Sequence, residues 1–141
     1  MSKIAVVYWS GTGNTEGMAN LVADGAKAAG AEVDTFTAAD FSADKLADYD
    51  AIALGCPAMG SEVLEEEEFQ PMYDSIRGGL SGKKVGLFGS YGWGGGEWMT
   101  TWADDCKAAG CNLVAEPVMA NGAAEGDDAD ACTALGAALA N

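Results

Sequence analysis

The chain has 141 residues, and this length predicts one domain, residues 1–141, with a sizeable buried core. Apolar residues make up 49% and charged residues 21%, which indicates a globular protein. The 22 acidic and 7 basic residues give a net charge of −15, which argues against nucleic acids and anionic membranes as partners. The sequence shows neither an apolar run of roughly 18 residues nor a signal-peptide cleavage pattern, so we expect a cytoplasmic protein.

Strand-like and helix-like segments alternate along the chain. Apolar runs or alternating patterns predict strands at residues 3–8, 32–36, 51–56, 84–90 and 113–119. Apolar residues at helical spacing predict helices after the first, third, fourth and fifth strands, whereas residues 37–50 have room for only a short helix or turn.

This alternation predicts an α/β fold: a single doubly wound five-stranded parallel sheet with helices on both faces. The second strand is polar and the fifth contains Pro117, so both belong at the edges of the sheet. The strand order 2-1-3-4-5 satisfies this and puts a switch point between strands 1 and 3, where such folds bind ligands at the carboxyl ends of their strands.

The first strand leads directly into Trp9-Ser10-Gly11-Thr12-Gly13-Asn14-Thr15-Glu16, where a helical pattern begins. Small and hydroxyl-bearing residues at a helix N-terminus can hold an anion, because backbone N–H groups and the helix dipole favour negative charge there. The loop lacks the lysine of a P-loop, and Glu16 stands where the dinucleotide-binding pattern needs a glycine. We therefore expect a neutral cradle for a terminal monophosphate; the alternative is a turn that only caps the helix.

Two other loops follow the third and fourth strands and should meet the first loop at one sheet edge. The first of them contains Met59, and the second presents Trp93 among glycines. This placement of Trp93 indicates stacking on a planar ring, whose other face Met59 could cover. The alternatives are that Trp93 folds onto the domain surface and that Met59 fills the core. Trp98 and Trp102 have the helical spacing of core residues.

The cysteines and one acidic run have simpler interpretations. Cys56, Cys106, Cys111 and Cys132 lack paired metal-ligand spacing, and the chain has no histidine, so a zinc site would need all four thiols. We expect buried free thiols in a reducing compartment instead. Glutamates crowd residues 62–68, which is typical of a solvent-exposed helix start.

The phosphate cradle and the flat aromatic slot together predict a phosphorylated planar ligand, and the same residues carry a family resemblance. Over essentially its whole length the chain resembles the short-chain flavodoxins of clostridia and related anaerobes. The resemblance rests on three segments in order: residues 8–16 (YWSGTGNTE), 55–60 (GCPAMG) and 88–94 (FGSYGWG). It implies a flavodoxin-like fold, a monomer and non-covalently bound flavin mononucleotide (FMN).

In this family the first loop holds the FMN phosphate, and the second and third loops cover the two faces of the flavin. The resemblance assigns FMN contacts to Ser10, Gly11, Thr12, Gly13, Asn14 and Thr15, to Pro57, Ala58, Met59, Gly60 and Glu62, to Ser90, Tyr91, Gly92, Trp93 and Gly94, and to Asn121. Glu62 would accept a hydrogen bond from flavin N3–H. Pro57 stands where some relatives have serine and supplies no hydroxyl.

These assignments imply a low-potential one-electron carrier that shuttles between flavin semiquinone and hydroquinone. The carbonyl of Gly60 would accept a hydrogen bond from N5–H in the first state, and the acidic chain would disfavour the anionic second state. The partners would be redox enzymes with basic docking surfaces, bound transiently.

Two other classes of function are alternatives to an electron carrier. A flavin-dependent quinone or nitro reductase would need extra segments over the flavin, for which the sequence has no room, and a non-redox binding module would not need Trp93. The absence of histidine and of a nucleophile–base pair favours electron transfer without substrate chemistry.

Overall fold

The computed structural model describes residues 3–11, 13–58, 64–91, 96–122 and 124–140. Its strands are β1 (Lys3–Tyr8), β2 (Glu32–Thr37), β3 (Ala51–Gly55), β4 (Lys84–Tyr91), β5 (Asn112–Leu113) and β6 (Val118–Asn121). Its α-helices are α1 (Asn14–Ala28), α2 (Ala43–Leu46), α3 (Phe69–Ile76), α4 (Glu97–Ala108) and α5 (Asp127–Ala140). Short 3₁₀ turns cover Ala38–Asp40 and Arg77–Gly79.

The strands form one parallel sheet in the order β2-β1-β3-β4-β5, and β6 also pairs with β4. This confirms the predicted order. Tyr8 aligns with Gly55 and Gly55 aligns with Phe88, so the carboxyl ends of β1, β3 and β4 lie at the same edge. All of β3 is buried, as its continuous apolar sequence predicts, whereas β2 at the sheet edge is exposed or half-buried.

The fifth strand position differs from the prediction of one strand over residues 113–119. Two short strands occupy it, β5 beside the start of β4 and β6 beside its end. Pro117 lies in the gap and has no N–H to donate to the sheet, and the neighbouring residues 115–116 are exposed. The pairing of this edge strand is therefore interrupted in the middle.

Helices cover both faces of the sheet because successive residues of each strand point to opposite sides. On β1, Ile4 packs into a buried cluster that includes residues of α1 and α5, whereas Val7 packs into a cluster with α3 and α4. Trp98 and Trp102 are each 2% exposed in the second cluster, which confirms them as core residues. No helix in the described part of the chain is long and apolar enough to cross a membrane.

The cysteines follow the sequence prediction with one exception. Cys56, Cys106 and Cys132 are buried free thiols, but Cys111 is only half-buried, because it lies in the exposed turn between α4 and β5. Within the described residues, no three potential metal ligands lie close enough together to hold an ion.

Candidate functional site

Three loops leave the carboxyl edge of the sheet side by side. The N–H of Trp9, just past β1, donates to the carbonyl of Gly55 at 3.0 Å. The N–H of Cys56, just past β3, donates to the carbonyl of Phe88 in β4 at 3.1 Å. These bonds extend the parallel register beyond β1 and β3, so the first and second loops begin side by side, and the second runs along the last residues of β4.

The first loop forms a tight turn into α1. The hydroxyl of Ser10 accepts a hydrogen bond from the N–H of Gly13 at 3.0 Å across the exposed Gly11. Gly13 has φ of +94°, a left-handed conformation that favours glycine. The first helical hydrogen bond runs from Gly17 N–H to the Gly13 carbonyl, so the N–H groups of residues 14–16 precede the helical ladder. The loop therefore has the backbone arrangement of an anion cradle.

Thr15 connects this cradle to β4. Its side chain is 1% exposed, and its hydroxyl lies 3.1 Å from the hydroxyl of Ser90, which is also buried. The N–H of Ser90 donates to the same Thr15 oxygen at 3.5 Å. Asn14, one residue earlier, is half-buried at the start of α1. The Thr15 hydroxyl thus has a structural partner 75 residues away in addition to its place beside the cradle.

The second loop stays next to β4 for as far as the structure describes it. Pro57 and Ala58 are half-buried, and the N–H of Ala58 donates to the carbonyl of Ser90 at 3.1 Å. The indole N–H of Trp98 in α4 donates to the carbonyl of Cys56 at 3.1 Å. The sequence showed Trp98 as a core residue but gave no signal for this hydrogen bond, which depends on tertiary packing.

Tyr91 and Asn121 end their strands next to each other. They are paired in the register of β4 and β6, and the N–H of Gly122 donates to the Tyr91 carbonyl at 2.9 Å. The ring of Tyr91 is 5.8 Å from that of Trp98. The Asn121 side chain is exposed at this edge.

The structure therefore brings one part of the predicted site together: Ser10, Gly11, Gly13, Asn14, Thr15, Pro57, Ala58, Ser90, Tyr91 and Asn121. The other predicted residues lie outside the described residues: Thr12, Met59, Gly60, Glu62, Gly92, Trp93 and Gly94.

Glu65 corrects the prediction that the acidic run is solvent-exposed. It is 6% exposed, and its carboxylate accepts hydrogen bonds from the N–H groups of Glu67, Glu68 and Phe69 at 2.9, 2.7 and 2.8 Å. Its own N–H donates to the sulfur of Cys56 at 3.3 Å. The carboxylate thus satisfies the backbone N–H groups that lead into α3.

The hydrogen bonds determine the charge state of Glu65. Burial raises the pKa of its carboxyl, but the hydrogen bonds from the three backbone N–H groups lower that pKa by a larger amount. The pKa of Glu65 therefore lies below the ordinary value. Glu66, Glu67 and Glu68 are exposed, as predicted. The sequence could not distinguish Glu65 from these neighbours because all four carry the same side chain.

A cleft of about 480 Å³ opens beside the first loop. In its lining, the indole N–H of Trp9 donates to Glu68 at 3.0 Å, and the hydroxyl of Tyr8 donates to Glu16 at 3.2 Å. Partial burial and the Glu16 carboxylate raise the pKa of Tyr8. The carboxylates give this side of the cradle a negative potential, and they also fix the aromatic side chains next to it.

Basic residues are concentrated toward the opposite edge of the sheet, except that the Nζ of Lys45 lies 5.9 Å from the centre of the Phe36 ring, near the carboxyl end of β2. Each of them lies at the start of a strand, in the turn before a strand, or in or just after the last turn of a helix. They are Lys3, Lys27, Lys45, Arg77, Lys83, Lys84 and Lys107. These are all seven of the chain's cations. In an α/β fold most of these positions share the amino edge, and the three loops at the carboxyl edge contain only neutral and acidic residues.

Comparison with known proteins identifies the family. The family model described as Flavodoxin matches residues 6–136. The flavodoxin of Megasphaera elsdenii is 46% identical over 137 residues, which cover 97% of this chain and 98% of that protein. The flavodoxin of Clostridium beijerinckii is 47% identical over 137 residues, covering 96% and 98%.

The chain belongs to the flavodoxin family. The solution structure of two-electron-reduced Megasphaera elsdenii flavodoxin superposes with a TM-score of 0.89 at 47% identity, covering 97% of this chain and 98% of that chain. Flavodoxins are FMN-binding electron carriers, so the chain is an electron-transfer protein rather than an enzyme and its cofactor is FMN. The family, fold and cofactor predicted from the sequence are confirmed.

The first loop has the chemistry that the phosphate of FMN requires. A terminal phosphate carries several acceptor oxygens, and the loop offers backbone N–H groups at the start of α1 and the hydroxyl of Ser10. Among the described residues, Gly13 has no neighbouring atom within 4 Å of where a side chain would begin, so these residues leave its backbone accessible. The residues present therefore fit the cofactor without any basic side chain.

Proposed function

We propose that the protein carries one electron at a time at low potential to redox enzymes, with FMN held by the three loops at the carboxyl edge. The phosphate would bind the N–H groups of residues 11–15 and the hydroxyls of Ser10, Thr12 and Thr15. The single observation that carries this proposal is the neutral cradle at the start of α1, formed by the Ser10–Gly13 bond and the left-handed Gly13.

The flavin ring would lie between the second and third loops. The described chain reaches Ala58 on one side and Tyr91 on the other, and Ser90 joins them through the bond to Ala58. Met59 would cover one ring face and Trp93 the other, as proposed from the sequence. The backbone of residues 91–93 and the Glu62 carboxylate would bind the pyrimidine edge. Gly60 would supply the carbonyl for N5–H.

Two weaker contacts complete the proposed site. Asn121, exposed at the end of β6 and paired with Tyr91, would contact the ribityl chain. Pro57 offers only its ring and its carbonyl, and that carbonyl already accepts from the thiol of Cys56 at 3.6 Å. We therefore assign Pro57 a packing role in the site.

Replacing Trp93 with alanine should weaken FMN binding by about 1–3 kcal/mol, because stacking of a base on an aromatic side chain is worth that much. The flavin fluorescence that the indole quenches should recover in the bound protein. Fluorescence titration of the apoprotein with FMN measures both effects, and Trp93→Phe, which retains a stacking ring, is the control. Unchanged quenching in Trp93→Ala would mean that the indole does not contact the flavin.

The charge distribution supports a low potential. Bound FMN supplies one-electron redox chemistry, and each added negative charge meets a protein of net charge −15, most of whose cations lie toward the other sheet edge. Two like unit charges about 8 Å apart repel by roughly 2 kcal/mol at an effective dielectric constant of about 20. Several such repulsions, weakened by salt screening, would make the second electron difficult to add to the bound FMN and easy to transfer to a partner.

The same distribution supports docking on basic surfaces. Acidic residues begin α1, α4 and α5 at the carboxyl edge, and Glu66 and Glu67 are exposed there. A partner with a basic face would therefore meet the flavin edge first, because the opposite edge holds most of the cations.

Changing Glu66 and Glu67 together to glutamine should slow electron transfer to a basic acceptor at low salt by a factor of roughly two to ten. Stopped-flow kinetics with cytochrome c, a basic redox protein, measure the rate. Asp44→Asn/Asp48→Asn removes the same charge from exposed positions near the other edge and is the control. Equal slowing by both variants at low salt would show that net charge, and not this face, determines the rate.

We also propose a cytoplasmic monomer. Among the described residues, Met119 is the single large hydrophobic side chain that is exposed, at 40%, so the described surface lacks the apolar patch of a stable dimer. The unpaired thiols fit a reducing compartment. Sedimentation velocity of the holoprotein tests the oligomeric state, and a dimer would contradict this part of the proposal.

A further inference from the structure

The C-terminus of α4 brings two cysteines together. Gly110 has φ of +89°, its N–H donates to the carbonyl of Lys107 at 3.0 Å, and the N–H of Cys111 donates to the carbonyl of Cys106 at 3.0 Å. This pair of bonds is a Schellman motif, which a contact between the side chains of the two residues joined by the outer bond frequently accompanies. Here both of those residues are cysteines, which the 3.0 Å backbone bond holds side by side.

The two thiols have different surroundings. Cys106 is fully buried, and its sulfur lies 3.2 Å from the hydroxyl of Tyr73. Cys111 is half-buried and therefore reachable from solvent. Arg77, held by Asp105 through bonds of 2.8 and 3.1 Å, places its positive charge near Cys111. The cluster lies at the amino edge of the sheet, away from the loops assigned to FMN.

These surroundings favour the thiolate of Cys111 over that of Cys106. The neighbouring Cys106 thiol and the charge of Arg77 lower the pKa of Cys111, whereas the neighbouring Cys111 and burial raise the pKa of Cys106. Burial and the nearby Asp128 carboxylate raise the pKa of Cys132 to about 11, and burial is the largest cause that raises the pKa of Cys56 to about 12. Cys111 is thus the one cysteine that is both accessible and favoured as the thiolate.

We propose that Cys106 and Cys111 form a peroxide-reactive dithiol in which Cys111 is oxidised first and Cys106 closes an intramolecular disulfide. The Cys111 thiolate attacks one oxygen of hydrogen peroxide; the S–O bond forms, the O–O bond breaks, and hydroxide leaves. Cys106 then attacks the sulfenic sulfur; the S–S bond forms, the S–O bond breaks, and the Cys106 proton leaves with the oxygen as water. The thiols lose two electrons to the peroxide, which becomes two waters once the hydroxide takes up the proton that the Cys111 thiol released on ionisation.

The backbone geometry suits this closure. A disulfide requires Cα atoms within about 7 Å of each other. The 3.0 Å backbone bond between Cys106 and Cys111 holds their Cα atoms within this range, so the disulfide would close across the existing Schellman motif. Tyr73 would exchange its thiol neighbour for a disulfide sulfur and keep its bond to Asp105 at 2.7 Å.

The test treats the oxidised holoprotein with hydrogen peroxide in the dark and maps the cysteines by peptide mass spectrometry. We expect Cys111 to react faster than Cys132 by on the order of tenfold or more, and Cys106 and Cys111 to lose one hydrogen each as a linked pair. Cys106→Ala should stop at the sulfenic acid, trapped by dimedone on Cys111, and Cys111→Ser should leave Cys106 reduced. Absorbance of bound FMN should not change.

Two results would overturn the proposal. One is modification of Cys111 no faster than that of the buried Cys132. The other is oxidation of Cys111 to the sulfinic acid in the wild-type protein without any linkage to Cys106. Both results come from the wild-type holoprotein, so a failure of the Cys106→Ala variant to fold does not affect the decision.

Discussion

Replacing Glu65 with alanine should lower the free energy of unfolding by about 2–4 kcal/mol. Hydrogen bonds to a charged group contribute about 1.5–3 kcal/mol each, and removal of the carboxylate leaves three backbone N–H groups at the start of α3 without an acceptor. The expected loss of stability is smaller than the sum of the three hydrogen-bond energies, because water can reach the partly exposed N–H groups of Glu67 and Glu68. Urea unfolding of the apoprotein measures the change.

The Glu65 contribution should depend on pH in a defined direction. Because hydrogen bonds hold its pKa below the ordinary value of about 4.3, the unfolded chain binds the proton first as the pH falls. The contribution is therefore fully present above about pH 5 and is lost between the ordinary pKa and the lower folded pKa. Glu65→Gln should show a flatter decline of stability with acid over this window than the wild type.

Glu66→Ala is the matched control, because Glu66 is an exposed neighbour in the same run. It should change stability by less than about 0.5 kcal/mol. A loss in Glu66→Ala as large as that in Glu65→Ala would contradict the capping role of Glu65.

Replacing Thr15 with valine should weaken FMN binding by about 1.5–3 kcal/mol, or roughly tenfold to more than a hundredfold, and should leave riboflavin affinity nearly unchanged. The variant removes a hydroxyl beside the cradle, and riboflavin lacks the phosphate that this hydroxyl would bind. Calorimetric titration of the apoprotein with each ligand measures the difference.

The contact between Thr15 and Ser90 makes a second control necessary. Ser90→Ala removes the shared hydroxyl bond of 3.1 Å and keeps the Thr15 hydroxyl at the cradle, and Thr15→Ser restores a hydroxyl there. We expect Thr15→Ser to keep most of the FMN affinity and Ser90→Ala to lose less than Thr15→Val. Equal losses of FMN and riboflavin affinity in Thr15→Val would mean that Thr15 acts by holding β4 and not by binding phosphate.

Local sequence signals were sufficient for most of the fold. The step from β1 through the glycine–hydroxyl loop into α1 could be predicted because its strand, turn and helix-start signals are all contiguous. The interrupted edge strand could not, since a single apolar stretch around Pro117 is compatible with one strand until its pairing with β4 is known.

The site shows the same limit. The sequence indicated the hydroxyl of Thr15 as a ligand but could not reveal its partner Ser90, which is 75 residues away. It also could not select Glu65 among four consecutive glutamates, because only the position of that residue against Cys56 buries it. Such choices depend on which chain segments the fold places together, and no local pattern records them.

A redox titration of the purified holoprotein, followed by flavin absorbance, tests the central claim most directly. We expect two separated one-electron steps, with the second at a potential more negative than that of free FMN, because the added charge meets a protein of net charge −15. A single two-electron step at the potential of free FMN would contradict the account of this protein as a low-potential one-electron carrier.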